Sequence, residues 1–340
     1  MTSIRSFSLR RPMRLDVLTN VSIGVVLACV SASCSAQAIE QADDETADKG
    51  IGILHVRGNV YMLVGETANV TVQVGDEGVL LVDTMVETSS EQLIKAVQSL
   101  SDKPVRHIIN THSHSDHIGG NAAVSMAGDA LFNRNQGATD EGEGGAPIYS
   151  HENVLNTISV QEPALPLEAW PTSTYFTASK DLYFNGEAVR IFHQPNAHTD
   201  GDSVVFFRGS DVISAGDIFI TTGYPYIDIE KGGTIDGIIA ALNRIIEMAV
   251  PAALQEGGTL IIPGHGRLCD ESEVVEYRDM LTIVRSMIQE RINEGMSLDE
   301  VLATRPTFGF DVRYGADSGF WTTDQFVEAI YNELARQGMH

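Results

Sequence analysis

Between His112 and His117 the chain places three histidines and an aspartate, directly after the apolar run of Val105, Ile108 and Ile109. That run reads as a short buried strand. A strand delivers its last residues to one edge of a sheet, and the turn that follows can fold His112, His114, Asp116 and His117 around a common point. A solvated turn has no reason to collect three of the chain's ten histidines. Neutral imidazoles beside a carboxylate suit a borderline cation such as zinc, and the lack of cysteine in the stretch argues against a closed structural site. The fold must therefore present a strand end to a cleft, and other segments must complete the ligand set.

The first 38 residues read as a processing signal. Arg5, Arg10, Arg11 and Arg14 form a basic region, Val21 to Val30 an apolar one, and Ala36-Gln37-Ala38 a small-residue cleavage site. The apolar run falls short of the roughly 18 residues of a spanning helix. Export to the periplasm or medium is expected, with no stable membrane insertion after cleavage. Cys29 and Cys34 lack the preceding sequence of a lipidated cysteine. Beyond the leader only Cys269 remains, so no intrachain disulfide can form. The formal net charge of −24 opposes nucleic acid and anionic membranes as partners. Residues 39–50 are acidic and read as a disordered tether.

From 51 onward, β-rich runs at Ile51 to Val56, Asn59 to Val64, Asn69 to Val74 and Gly78 to Val82 predict a meander. Helical spacing follows over Ser89 to Leu100, then the strand before His112, then a continuing helix from Ile118 to Ala127, with Gly119-Gly120 allowing close backbone approach. Asn133 to Pro147 is acidic, glycine-rich loop, either a lid or a surface excursion. His151 reads as a structural histidine, and Leu165 to Thr177 as an extended link. A second strand-rich half includes Asp181 to Phe184, Ala188 to His193 and Ser203 to Phe207. Amphipathic helices are expected over Thr234 to Val250, Glu271 to Asn293 and Gln325 to Arg336, with a capped start at Ser297-Leu298-Asp299-Glu300.

His112-x-His114-x-Asp116-His117 at a strand end resembles the signature of the metallo-β-lactamase superfamily. Three later strand-end segments resemble that family's further motifs: His198 in Asn196 to Asp202, Asp217 in Ser214 to Asp217, and His265 in Ile261 to Gly266. Asp83, closing Leu80 to Val82, resembles its first motif and would stand close to the metals. The resemblance covers roughly residues 51–290 of a domain expected to run over 51–340, including the C-terminal helices. It implies an α/β fold, a four-layer αβ/βα sandwich of two mixed β-sheets flanked by helices. It also implies two Zn2+ per chain, one held by His112, His114 and His198, the other by Asp116, His117 and His265, with Asp217 bridging.

Such a site implies hydrolysis of a small-molecule substrate. Zinc can lower the pKa of water from 15.7 to about 7 and polarise a carbonyl, and Asp116 is placed by the motif to shuttle a proton as the catalytic carboxylate. Asp217 resembles the broader hydrolases of the superfamily, such as thioesterases and lactonases, more than its antibiotic-degrading branches. The expected function is an exported di-zinc hydrolase of an ester, thioester, lactone or amide. A zinc β-lactamase and a non-catalytic metal-binding accessory protein are the alternatives. Iron-dependent oxidoreductase relatives are a third. Tyr224, Tyr226 and Arg267 are the candidate substrate contacts, with Lys231 a further source of positive charge. Nothing in the sequence signals an oligomeric state.

Overall fold

Strands whose apolar residues occupy both faces must be covered on both faces, and that pattern builds this molecule. The computed structural model describes residues 50–129 and 145–337. The leader, residues 39–49 of the tether and residues 130–144, which include most of the acidic loop, lie outside the described residues.

The first sheet runs β1 (Gly52–Arg57), β2 (Val60–Val64), β3 (Asn69–Gly75), β4 (Gly78–Val82), β5 (Val105–Ile109), β6 (Ile148–His151) and β7 (Ser173–Tyr175), in that spatial order. The first four form an antiparallel meander, and β4 to β7 pair in parallel. The second sheet contains β8 (Ser179–Phe184), β9 (Glu187–His193), β10 (Ser203–Phe207), β11 (Val212–Ser214), β12 (Leu260–Ile262) and β13 (Cys269–Asp270). It is antiparallel except for the β11–β12 pair. Both sheets are therefore mixed.

Alternation along each strand sets the layers. Leu80 and Val82 of β4 point between the sheets and meet Val205, Phe207 and Ile262, whereas Val79 and Leu81 point outward to Leu93 and Val97 of α1 (Ser90–Leu100). On the far side Val204, Ile213 and Ile261 pack under α5 (Ile235–Met248), α6 (Glu271–Asn293) and α9 (Thr323–Gln337). Ile238, Leu242 and Ile245 of α5 are fully buried, each contributing about 2 kcal/mol. The arrangement is the expected four-layer sandwich. Helix starts are capped where the sequence signals it. Thr234 Oγ1 accepts from Gly237 N at the head of α5, and Ser297 with Glu300 forms a capping box on α7 (Leu298–Thr304).

Two expectations are corrected. The helix expected from Ile118 to Ala127 is two pieces, α2 (Ser115–Ile118) and α3 (Asn121–Ala127). Gly120 N donates to Met85 O instead of continuing the helix ladder, and a Cβ there would overlap the Thr84 carbonyl oxygen. The glycine pair thus lets the chain press against the segment that follows β4. The extended link at 165–177 carries β7, which adds an edge strand to the first sheet.

Candidate metal centre

The site lies where strand ends of both sheets meet. From the first sheet come Asp83, just after β4, and His112, His114, Asp116 and His117, just after β5. From the second come His198 in the turn before β10, Asp217 after β11 and His265 after β12. Backbone bonds stitch the seam: Ser203 N donates to Thr111 O and Asn69 N to Gly264 O, both at 2.8 Å. Gly264 is required here, because a Cβ would overlap Asp217 Oδ1.

All seven side chains proposed from the motifs converge. His112, His114, His198 and Asp217 offer atoms within 4.8 Å of one another, and so do Asp116, His117, Asp217 and His265. Asp217 belongs to both groups. Its Oδ1 lies 3.2 Å from His117 Nε2, and its Oδ2 lies 3.2 Å from His265 Nε2, 3.7 Å from His198 Nε2 and 3.8 Å from His112 Nε2. His114 Nδ1 and His198 Nε2 are 2.9 Å apart. Asp116 Oδ2 stands 3.3 Å from His265 Nε2 at the open side, 29% exposed.

The outer nitrogens decide what the inner ones can do. His117 Nδ1 faces Asp83 Oδ2 at 2.8 Å, His114 Nε2 faces Asp228 Oδ2 at 2.8 Å, and His198 Nδ1 faces the Tyr226 carbonyl at 2.7 Å. Each partner only accepts, so each of these nitrogens carries the hydrogen. Thr111 Oγ1 spends its own hydrogen on Asp83 Oδ2, so it accepts from His112 Nδ1 at 2.9 Å. In its neutral form each of the four rings would therefore turn a lone pair inward. Lone pairs of His114 and His198 face each other, and that of His117 faces a carboxylate oxygen. His112 Nε2, His117 Nε2 and Asp217 Oδ1 are buried without a hydrogen-bond partner. Such a pocket of acceptors fits divalent cations with nitrogen and oxygen ligands.

Proton affinities carry the same signature. Burial alone would depress His117, but Asp217 and Asp83 outweigh it and hold it well above the usual histidine range. Burial also opposes protonation of His265, yet bonds to Asp116 and Asp217 hold it up to about 9. His112, buried among other imidazoles, is pushed well down, and burial takes His198 to about 4. Asp217 is lowered well below the carboxylate range, because the surrounding histidines outweigh its burial. Protons on His117 and His265 do in part what cations would do fully.

Two outer residues escaped sequence reasoning. Asp228 is buried, links His114 to Lys231 Nζ at 3.0 Å, and donates its backbone N–H to His198 O. Thr111 ties Asp83 to His112. Asp228 follows Tyr226 by two positions and Thr111 directly precedes His112, but their partners are contacts that spacing does not reveal.

A cleft of about 300 Å3 opens beside Asp217 and His265, walled by Ile220, Tyr224, Tyr226, Tyr314, Phe320 and Trp321. Tyr224 reaches it, but its hydroxyl is bound to Thr307 O and Asp311 Oδ1 and its ring stacks on Phe326, so it is a packing residue. The Tyr226 ring lies 5.7 Å from both His114 and His198. Arg267 is drawn away onto Glu273 in the first turn of α6 and does not line the cleft.

His151 stands apart, stacked on His193 with ring centroids 3.5 Å apart and accepting from Asn153 N. Burial, then the neighbouring His193, lowers it to about 4. A lowered histidine leaves the native state with fewer bound protons than the unfolded chain. The stability it contributes is complete above its unfolded pKa near 6.5 and is lost as pH falls toward 4. We expect His151→Asn to flatten the stability slope in that window by about 1 kcal/mol per pH unit, measured by urea unfolding at several pH values. An unchanged slope would assign the acid sensitivity elsewhere.

Residues 63–265 match the family described as "Metallo-beta-lactamase superfamily". With this fold and site, the chain belongs to that superfamily. Among curated proteins it is 22% identical to a metallo-beta-lactamase type 2 of Bacillus sp. (strain 170) over 263 residues, 74% of this chain and 90% of that one. It is 36% identical to the alkyl/aryl-sulfatase BDS1 of Saccharomyces cerevisiae over 81 residues, 23% of this chain but only 12% of the sulfatase. Among solved structures, the stereoselective inverting sec-alkylsulfatase Pisa1 from Pseudomonas sp. superposes with a TM-score of 0.59 at 16% identity, covering 83% of this chain and 50% of that one. The chain thus spans an eighth of one sulfatase and half of the other. Among the described residues no helix is long and apolar enough to cross a membrane.

Proposed function

We propose that this chain is an exported di-zinc hydrolase that cleaves a carbonyl-containing small molecule: an ester, thioester, lactone or amide. The observation that carries the reading is the set of inward lone pairs, which a divalent cation in each group would satisfy. His112, His114 and His198 would hold one zinc, Asp116, His117 and His265 the other, with Asp217 shared. When bound, the metals would supply an activated water and a Lewis acid for the scissile carbonyl.

This chain's own residues do the rest. Asp83, Thr111, Asp228 and the Tyr226 carbonyl orient the imidazoles, which preserves ligand geometry. Asp116, the more exposed of the two shared-site carboxylates, is placed to take a proton from the attacking water and pass it to the leaving group. The walls around Tyr226 exclude solvent from one side of the reacting centre. Residues 1–38 supply the export signal in this reading.

The similarity to a type 2 metallo-beta-lactamase over 90% of its length supports β-lactam hydrolysis as the second reading. One experiment separates the possibilities. Esters, thioesters, lactones, β-lactams and sulfate esters are offered to the zinc-loaded protein, with Asp116→Ala as control and metal content measured. We expect about two zinc per chain, turnover of a carbonyl class, and loss of that turnover on chelation. Bound zinc with no turnover of any class would make this a metal-binding protein without catalysis, and bound iron would overturn the metal assignment.

A further inference from the structure

Six of the thirteen residues that line the cleft beside the metal centre come from beyond the family-matched region. Tyr314, Phe320 and Trp321 come from α8 (Asp311–Tyr314) and the turn before α9, whereas the family match ends at residue 265. This C-terminal segment is bound to the segment that orients the ligands. Trp321 Nε1 donates to Pro225 O at 3.0 Å, and Tyr224 N donates to Tyr314 O at 3.1 Å. Tyr226 packs edge-on against Phe320 and Trp321, with centroids 5.0 and 4.8 Å away.

Two polar groups of this wall are spent inward. The Tyr224 hydroxyl and the Trp321 indole N–H both have partners in the protein, so what they offer the cleft is ring surface. No lysine or arginine among the described residues lines it. The two basic residues that the sequence offered are engaged, Lys231 with Asp228 and Arg267 with Glu273. Apart from the tyrosines, the ionisable groups that line it are Asp217 and His265, which belong to the metal groups. Phe320 is 79% exposed, so part of its ring is open to a bound group.

We propose that this cleft selects substrates carrying an uncharged, flat apolar group next to the scissile bond, with Phe320 and Trp321 as the specificity-determining residues. The inference rests on the hydrolase reading of the metal centre and names its substrate class. A charge on the group entering the cleft would be desolvated against ring faces, with no lysine or arginine lining the cleft to pair with it. An aryl or short-chain acyl group would instead bury apolar area on Phe320, Trp321 and Tyr226 while its carbonyl stays at the metals.

The chain has two tryptophans, so in a Trp170→Phe background the fluorescence reports Trp321 alone. The zinc-loaded protein is titrated with N-(4-methylsulfonylphenyl)acetamide, with the anionic 4-acetamidobenzenesulfonate, and with the cationic 4-acetamido-N,N,N-trimethylanilinium. The neutral probe should quench with an affinity at least about tenfold above both charged ones, and Phe320→Ala should weaken it by about tenfold at unchanged zinc content. Turnover of phenyl acetate should show a matching rise in KM in Phe320→Ala, with kcat within about twofold. Equal affinities, tighter binding of either ion, or an unaltered Phe320→Ala variant would overturn the proposal. If no class in the substrate panel is hydrolysed, the hydrolase reading fails, while the fluorescence titration still decides what the cleft accepts.

Discussion

Asp217→Asn should lower turnover by about a thousandfold and reduce bound zinc from about two per chain to one or fewer. Asp217 is the side chain common to both ligand groups. An amide keeps its shape but removes its charge and replaces one acceptor oxygen with a donor. Both carboxylate oxygens face imidazole nitrogens at 3.2 Å, so the NH2 of the substituted amide cannot avoid displacing a ligand. Elemental analysis and a zinc titration measure the loss, and circular dichroism checks that the fold persists. Retention of two zinc with near-native turnover would show that Asp217 does not bridge.

The second large effect belongs to Asp83→Ala and should appear as a stability loss of about 3–5 kcal/mol. Asp83 is buried, and its carboxylate accepts from Thr111 N, Thr111 Oγ1 and His117 Nδ1 at 2.8, 2.7 and 2.8 Å. Removing it strands three buried donors. The residue also sits at φ 68°, where alanine is strained. Against a typical total of 5–15 kcal/mol, the loss is large enough to read directly in a urea unfolding curve. Asp83→Asn keeps the volume and separates packing from orientation: zinc affinity should fall about 10- to 100-fold in competition with a chelating dye. Unchanged affinity in Asp83→Asn would reduce Asp83 to a folding role.

Much of this site was legible because metal ligation needs particular residue types at strand ends, and the chain spells them out. His112 to His117 is dense enough to read alone. His198, Asp217 and His265 are each ordinary in isolation and became readable only through the family resemblance. Strand positions followed from apolar alternation, the helix beginning at Thr234 from its amphipathic spacing, and the helix start at Ser297 from its cap. The break at Gly119-Gly120 was not legible, since it depends on close approach to Thr84, which lies distant in sequence. Arg267 misled for the opposite reason: adjacency to His265 placed it near the site, but the first turn of α6 supplies Glu273 as a better partner. Phe320 and Trp321 could not be tied to the centre at all, because only the folded C-terminal segment brings them to Tyr226.

The metal groups draw residues from both sheets across a seam closed by Ser203 with Thr111 and Asn69 with Gly264. The centre therefore works as a gauge of how the two sheets are seated. A slip of one sheet over the other by an ångström would leave every strand and every local turn intact, yet it would detune all the cross-seam spacings to Asp217 together. Tolerances at the centre are thus set by side chains that never approach it, such as Leu80 and Phe207 in the layer between the sheets.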